Sequence, residues 1–544
     1  MTPGNELLFL ALGGSGEIGM NVNLYGSQGK WLMVDCGMTF GDNDYPGIDL
    51  ILPDLEFIEK RRRDLVGLVL THGHEDHIGA IPYLAADLGV PLYATPFTAG
   101  LIAHKLEEEG LTGQVKVKLI QPGDVLELGP FTVTPVPLAH SIPEANALVI
   151  ETRFGRIFHT GDWKLDRTPV LGNPTSPEAL TAIGDKGVLA MICDSTNAFT
   201  EQESGSEAEV YPGLLKVVTE APGRVLVTTF ASNAARLHTI GKVAEESGRR
   251  IAVAGRSIER YIKVAKATGY LRDFPETVRY DEAMRMPRRE LLILATGGQG
   301  EPRAALGRIA SGQHELKLGE GDTVVFSSRQ IPGNEVAVGR VMNELAVLGV
   351  RTVTERQAHV HVSGHPGRPE LVQMYHWIRP ELLIPVHGER RHMLEQARLG
   401  LDNGVPAALV QENGDLIRLA PGAPKKLGEE RVGRLVLDGD VILTADGSTM
   451  NERRKLAYQG MIAVSLAVDG RGKLLGKPVV RPVGVPVEAD REDFIRDAVD
   501  LAARAVQPGL SADKLHETIR LAVRRCATLW TGKKPIVEVL VVRP

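Results

Sequence analysis

The stretch THGHEDHIG, residues 71–79, decides how the rest of the chain is read. It follows an apolar, β-branched run at 65–70 that reads as a buried strand, so its histidines stand where a strand ends in a loop. Four potential ligands, His72, His74, Asp76 and His77, fall within six positions. Imidazole and carboxylate together suit Zn²⁺, and a hydrolytic site needs several such groups on one side of a rigid element. In an extended loop His72, His74 and Asp76 alternate onto one face, and His77 points elsewhere, toward a second cation. A lone histidine here would read as part of a solvated loop. Three histidines and an aspartate this close favour a two-metal arrangement.

Upstream, 7–12 is an apolar strand followed by GGSGEIG at 13–19. Gly14, Gly16 and Gly19 match the dinucleotide fingerprint, with Asp35 near the distance of a ribose-binding carboxylate. That fingerprint requires a helix directly after its glycines. Residues 20–30 (MNVNLYGSQGK) lack a 3.6-residue apolar repeat and contain Gly26 and Gly29, so they read as a β-hairpin leading into a strand at 31–34. Asp35, in VDCG, is open to three readings: nucleotide ligand, turn residue, or the carboxylate that orients a metal-bound imidazole. The nearby histidines favour the last.

Downstream, 78–88 is expected as a helix behind the metal loop, with Pro82 limiting its start. A strand at 131–137 delivers His140 in LAHSIPEA, one at 156–160 ends in GDW with Asp162, and one at 189–193 leads to Asp194 in CDST. A single strand-end histidine is commonly an ordinary loop or core residue. Recurrence changes the reading, because a metal site at one edge of a sheet collects its ligands from successive strand ends.

From about residue 204 the texture becomes that of a parallel α/β sheet, with strands expected at 224–229, 250–254, 290–295 and 322–327. The loops FASNAAR from Phe230, ATGGQGEP from Ala295 and SSRQIPGNE from Ser327 offer backbone N–H groups and hydroxyls to an anion, or are plain turns. In HVHVSGHPGRPE, His359 and His361 are expected to alternate along a strand, and the SGH turn presents His365. In LLIPVHGERRH, His387 ends a strand at 382–386. Strands at 461–468, 473–480 and 536–542 and helices at 491–506 and 512–529 form a small α+β domain. Its Arg520, Arg524, Arg525, Lys533 and Lys534 read as a solvated helix face in preference to an RNA contact.

A chain of 544 residues exceeds one hydrophobic core, and about three domains are expected. Hydrophobic residues at 43% and charged residues at 24% describe an ordinary globular protein. The net charge of −6 carries no nucleic-acid signal, so any polyanion must meet a local positive potential, which metal ions can supply. Cys36, Cys193 and Cys526 are far apart and odd in number, which argues against disulfides and for a reducing cytoplasm. No secretory signal or membrane-length apolar run is found.

The HxHxDH signature with His140 and Asp162 resembles the metallo-β-lactamase superfamily, and the inserted segment with Asp194, His365 and His387 resembles its β-CASP branch. The motifs GGSGEIGMN, CDSTNA, TFASN, TGGQGEP, IPGNE, HVSGH and PVHGE together are similar to the bacterial ribonuclease J family over nearly the whole chain. The resemblance implies an α/β chain: an αββα sandwich at 1–203 completed by 359–440, a β-CASP insertion at 204–358, a linker at 441–458 and a C-terminal α+β oligomerisation domain at 459–544. It implies that His72, His74 and His140 hold one Zn²⁺ and Asp76, His77 and His387 another, with Asp162 bridging and Mn²⁺ an alternative ion. Asp35 would orient a ligand. Asp194 would orient His365 as general acid, so that Asp35, Asp76, Asp194 and His365 form the catalytic set. Ser232 and Asn233, with the loop His361, Val362, Ser363, Gly364 and His365, would bind single-stranded RNA, including a 5′-monophosphate. A structural Ca²⁺ would involve Asp49 and Asp438, although VLDGDVILTADG departs from the family's usual run.

The implied activity is 5′-to-3′ exonuclease with some endonuclease action, in mRNA decay and rRNA maturation. The implied setting is a cytoplasmic homodimer or homotetramer, with RNA-degradation partner proteins and no membrane. Fold alone would also admit lactamases, thioesterases and oxygen reductases. Oxygen-reducing relatives carry glutamate where this chain has His74, and simple thioesterases lack the insertion and HVSGH. A non-catalytic RNA scaffold is disfavoured because all seven ligand positions, Asp194 and His365 are intact.

Overall fold

The strand Leu7–Gly13 is buried along its whole length, which places an apolar run like this in the middle of a covered sheet. In the computed structural model, which describes residues 4–42, 44–331 and 333–544, it lies third in an eight-stranded sheet. The order is Lys425–Glu429, Asp415–Ala420, Leu7–Gly13, Val22–Ser27, Lys30–Val34, Leu65–Val69, Leu92–Ala94, Val117–Leu119. A seven-stranded sheet runs Leu126–Leu128, Phe131–Pro137, Asn146–Thr152, Gly155–His159, Val188–Asp194, Pro380–Val386, Ala407–Ala408. Phe9, Tyr25 and Val34 of the first sheet meet Phe131, Leu148, Ile157 and Ile384 of the second in one buried core. Helices Pro177–Asp185 and Arg368–Ile378 cover the second sheet through Leu180, Leu371, Met374 and Ile378. This is the expected αββα sandwich.

The glycine run resolves the dinucleotide question. Gly14, Gly16 and Gly19 all have positive φ, and the chain then enters the antiparallel hairpin Val22–Ser27 and Lys30–Val34, not a helix. A Cβ at Gly14 would lie 2.3 Å from Asn21 Oδ1, so the turn needs glycine for local closeness.

The insertion leaves and re-enters the second sheet between neighbours. Val188–Asp194 pairs in parallel with Pro380–Val386, with Asp194 opposite Val386. The two strand ends, Asp194 and Val386, therefore sit side by side although the whole insertion lies between them in the chain. Within the insertion a five-stranded all-parallel sheet runs Arg250–Ala254, Leu291–Ala295, Val225–Thr228, Thr323–Phe326, Arg351–Val353, around its own core of Leu226, Ile293, Leu306 and Val324. Pro332 of the IPGNE motif lies outside the described residues.

Three expectations change. The helix foreseen at 78–88 is two pieces, Glu75–Ile78 and Ile81–Leu88. The first turn starts early because the His74 carbonyl accepts from both His77 N–H and Ile78 N–H, and acidic Glu75 and Asp76 suit its N-terminus. The strand foreseen through His359 and His361 is irregular chain, since the Val360 carbonyl accepts from the Arg236 guanidinium and the Ser327 hydroxyl and not from a neighbouring strand. The linker at 441–458 carries strand Val441–Thr444 and helix Ser448–Gln459. That helix buries only Met450, so it shows no apolar periodicity to read.

The chain forms two compact units, Met1–Thr39 with Leu52–Val432, and Phe40–Ile51 with Gly433–Pro544. In the second, Met461–Val468 is the central strand, antiparallel to Leu474–Val483 and parallel to Ile536–Val542. Helices Arg491–Ala505 and Ala512–Thr531 bury one sheet face through Phe494, Ile519 and Val523. No helix among the described residues is long and apolar enough to cross a membrane.

Candidate metal centre

The loop after Leu65–Val69 carries His72 and His74, and the turn Glu75–Ile78 carries Asp76 and His77. Asp76 Oδ2 lies 3.8 Å from His77 Nε2 and 3.7 Å from His387 Nε2, so the extended-loop grouping of Asp76 with His72 and His74 does not hold. His140 follows Phe131–Pro137, Asp162 follows Gly155–His159, and His387 follows Pro380–Val386. Two groups take up these seven residues, each with candidate ligand atoms within 4.8 Å of one another: His72, His74, His140 and Asp162, and Asp76, His77, Asp162 and His387; a third, Asp162, Asp194, His365 and His387, overlaps them. Asp162 belongs to all three. Its Oδ2 lies 3.3 Å from His77 Nε2 and from His387 Nε2, 3.8 Å from His72 Nε2 and 3.9 Å from His140 Nε2.

The donor set fits cations. His74 Nδ1 stands 3.1 Å from both His72 Nε2 and His140 Nε2, and buried His74 Nε2 and Asp162 Oδ1 have no hydrogen-bond partner. Ring nitrogens crowding one another at this distance are better satisfied by a shared cation than by themselves. Burial, then neighbouring imidazoles, holds His72 and His140 well below the usual histidine range, and burial takes His74 to about 4. Neutral imidazole is the form that ligates. At His77 burial opposes the charged form, but Asp162, Asp76 and Asp35 outweigh it and hold the ring well above its ordinary value. Asp162 is held well below the carboxylate range by His387 and His77, against its burial.

The ring orientations come from a surrounding layer of hydrogen bonds. Asp35, fully buried and at φ 63°, accepts from Thr71 N–H and Thr71 Oγ1–H, both at 2.8 Å, and lies 2.7 Å from His77 Nδ1. A Cβ at Gly37 would lie 1.7 Å from the Asp76 carbonyl, so the VDCG turn can pass the metal loop only as glycine. Gly19 N–H reaches His387 Nδ1 at 3.3 Å, which turns Nε2 toward the carboxylates. Asn21 donates to the Asp76 carbonyl and lies 2.9 Å from His387 Nδ1. Asn21 stood inside a quoted motif but had no assigned role, because an asparagine carries no periodic or metal-spacing signal.

Beside the clusters, His365 Nδ1 is 2.8 Å from Asp194 Oδ2. Burial disfavours its charge, but Asp194 outweighs this and pushes the ring up to about 9. Asp194 also accepts from Thr196 N–H and Oγ1–H. The loop 361–365 is pinned by Asn197, which donates to Ser363 Oγ and the His365 carbonyl, and by the Gly364 carbonyl, 2.6 Å from His140 Nδ1. Val362 is buried, and His361 is held well below its usual range by burial and then by Arg236 and Arg329. Ser232 is half-buried beside the start of helix Ala234–Glu246; Asn233 caps that helix by accepting from Arg236 N–H at 2.8 Å. Asp49 and Asp438 fall in none of the ligand groups among the described residues, and Asp438 pairs with Arg453 at 2.5 Å.

Fold and donor set together define a hydrolase of the metallo-β-lactamase class. The metallo-beta-lactamase superfamily model matches residues 16–192, the "Ribonuclease J, beta-CASP domain" model 222–345, the "Zn-dependent metallo-hydrolase RNA specificity domain" model 352–410 and the "Ribonuclease J C-terminal domain" model 448–544. Ribonuclease J of Sinorhizobium meliloti is 43% identical over 100% of this chain and 98% of its own length. That of Mycobacterium tuberculosis is 39% identical over 96% and 94%, and that of Thermus thermophilus 35% over 99% and 96%. The chain belongs to the ribonuclease J family. A crystal structure of a protein of unknown function from Enterococcus faecalis, 18% identical, shares the fold over 76% of this chain and 100% of its own with a TM-score of 0.54.

Proposed function

We propose that this protein is a two-cation ribonuclease that degrades single-stranded RNA from its 5′ end, prefers a 5′-monophosphate, and also cuts internally. The observation that carries the reading is the pair of ligand groups sharing Asp162 beside the His365–Asp194 couple. His72, His74 and His140 hold one divalent cation, and Asp76, His77 and His387 the other. Zn²⁺ or Mn²⁺ in these places supplies water activation near neutral pH and neutralises charge on the phosphoryl oxygens.

The chain's own groups do the rest. Asp35 keeps His77 oriented. Asp194 binds His365 Nδ1, which leaves Nε2 to deliver a proton to the departing 3′-oxygen. Ser363 and Ser232 offer hydroxyls to the 5′-phosphate. His361, which burial and then Arg236 and Arg329 hold well below the usual histidine range, stands on that path as a neutral hydrogen-bonding ring.

We further read the protein as a cytoplasmic enzyme of mRNA decay and rRNA maturation that assembles as a dimer or tetramer and meets other RNA-degradation proteins. Three buried free thiols support the compartment. Val479 and Leu540, about two-thirds exposed on the uncovered sheet face of the C-terminal unit, support assembly.

The test is a cation-titrated assay on end-labelled RNA bearing a 5′-monophosphate, triphosphate or hydroxyl. Processive shortening of the monophosphate substrate, dependent on added cation, is expected. Turnover of a lactam or thioester with no RNA cleavage would refute the reading.

A further inference from the structure

Two tyrosines of the β-CASP domain reach the two separate loops that carry the first group of ligands. Tyr261, 2% exposed on helix Arg256–Thr268, donates its hydroxyl to the Gly73 carbonyl at 3.2 Å, between His72 and His74. Tyr270, just past that helix, donates to Glu144 Oε1 at 2.9 Å. Glu144 lies four residues beyond His140 and is held at φ 60°, a conformation a glutamate adopts only under constraint. Its other oxygen accepts Phe97 N–H at 2.7 Å, and its carbonyl accepts from Asn146.

The same helix holds the metal loop by charge. Arg260 lies 3.8 Å from Glu75, which also binds Lys105 at 2.6 Å. The helix can come this close because residue 100 of the facing helix Pro96–Glu108 is glycine; a Cβ there would stand 2.9 Å from Val264 Cγ1.

We infer that Tyr261 and Tyr270 are positioning residues that tie the seating of the β-CASP domain to the His72, His74 and His140 cation site. The inference rests on the two-cation reading above. Neither hydroxyl touches a ligand ring, so both act through the loops. Coupling of this kind is reciprocal: a cation that orders the loops must also tighten helix Arg256–Thr268, and an RNA strand that seats the β-CASP domain must raise cation affinity.

The experiment uses the full-length chain. Zn²⁺ and Mn²⁺ affinities are measured by chelator competition for the wild type, Tyr261→Phe, Tyr270→Phe and the double variant, and amide hydrogen exchange is followed with and without Zn²⁺. Loss of one such hydrogen bond corresponds to about three- to tenfold weaker binding. Each single variant is expected to weaken the cation by that factor and the double variant by roughly the product. In the variants activity on RNA falls at limiting cation and recovers in excess cation. A merely structural loss would not be rescued this way. In the wild type, Zn²⁺ slows exchange across 256–268, and the double variant loses that protection.

Wild-type affinity in both single variants, or exchange across 256–268 indifferent to Zn²⁺ in a protein that does bind it, overturns the coupling and leaves the nuclease reading intact. Failure of the wild type to bind either cation overturns both.

Discussion

The two ligand groups share Asp162 but differ in charge. His72, His74 and His140 are drawn neutral by burial, with one carboxylate among them. Asp76 and Asp162, with Asp35 behind His77, outweigh burial and leave His77 and His387 with raised affinity for protons. The first group has its imidazoles pushed toward the neutral form that ligates, and the second would have to release protons to take a cation, so the same metal should enter the two with different pH dependence.

The most damaging change falls on the charged group. His77→Ala removes a proposed ligand and the ring that Asp35 orients, so cleavage of 5′-monophosphorylated RNA should fall by at least about 10³-fold with the circular-dichroism spectrum retained. Normal turnover with cation supplied would contradict the assignment. Next, His365→Ala should lower kcat by about 10²- to 10⁴-fold, the range for a lost general acid, with both cations still bound by elemental analysis. Loss of a cation would instead make His365 a ligand, which its place near Asp162, Asp194 and His387 also permits geometrically.

The charge difference is tested by calorimetry in buffers of different ionisation enthalpy. Cation entry at the His77 group should release protons at pH 7 and weaken as pH falls, because ligation needs that ring deprotonated and its pKa is raised. Entry at the His74 group should release few and persist until pH approaches about 4. Equal proton release in both steps would erase the distinction. The smallest effect leaves both groups untouched: Ser363→Ala and Ser232→Ala should each cost about three- to tenfold in preference for 5′-monophosphate over 5′-hydroxyl ends, with internal cutting nearly unchanged. Parallel loss of both activities would argue against a dedicated end site.

Much of the site was legible because each ligand follows an apolar strand, a pattern visible without knowing which strands pair. His140, Asp162 and His387 each repeat the placement of His72. What was misread is local hydrogen bonding. An extended loop was expected through Asp76, yet two amides converge on the His74 carbonyl and coil the chain there. His359 and His361 alternate like strand residues, yet Arg236 and Ser327 claim the carbonyl between them. Asn21 and Asn197 gave no sign of their roles, since their partners lie far along the chain and meet them only after folding.

Sequence alone determined the chemistry available here: which side chains can ligate, that they stand at strand ends, and that a parallel α/β segment interrupts the sandwich. Residue type and apolar periodicity are local properties, and they survive in the unfolded string. Only the tertiary structure decided how close the candidate ligand atoms lie, which imidazoles burial pushes below the usual histidine range, and which tyrosines of the inserted domain reach the loops. Those outcomes depend on distance and burial, and neither exists until Val188–Asp194 lies beside Pro380–Val386 and closes the site.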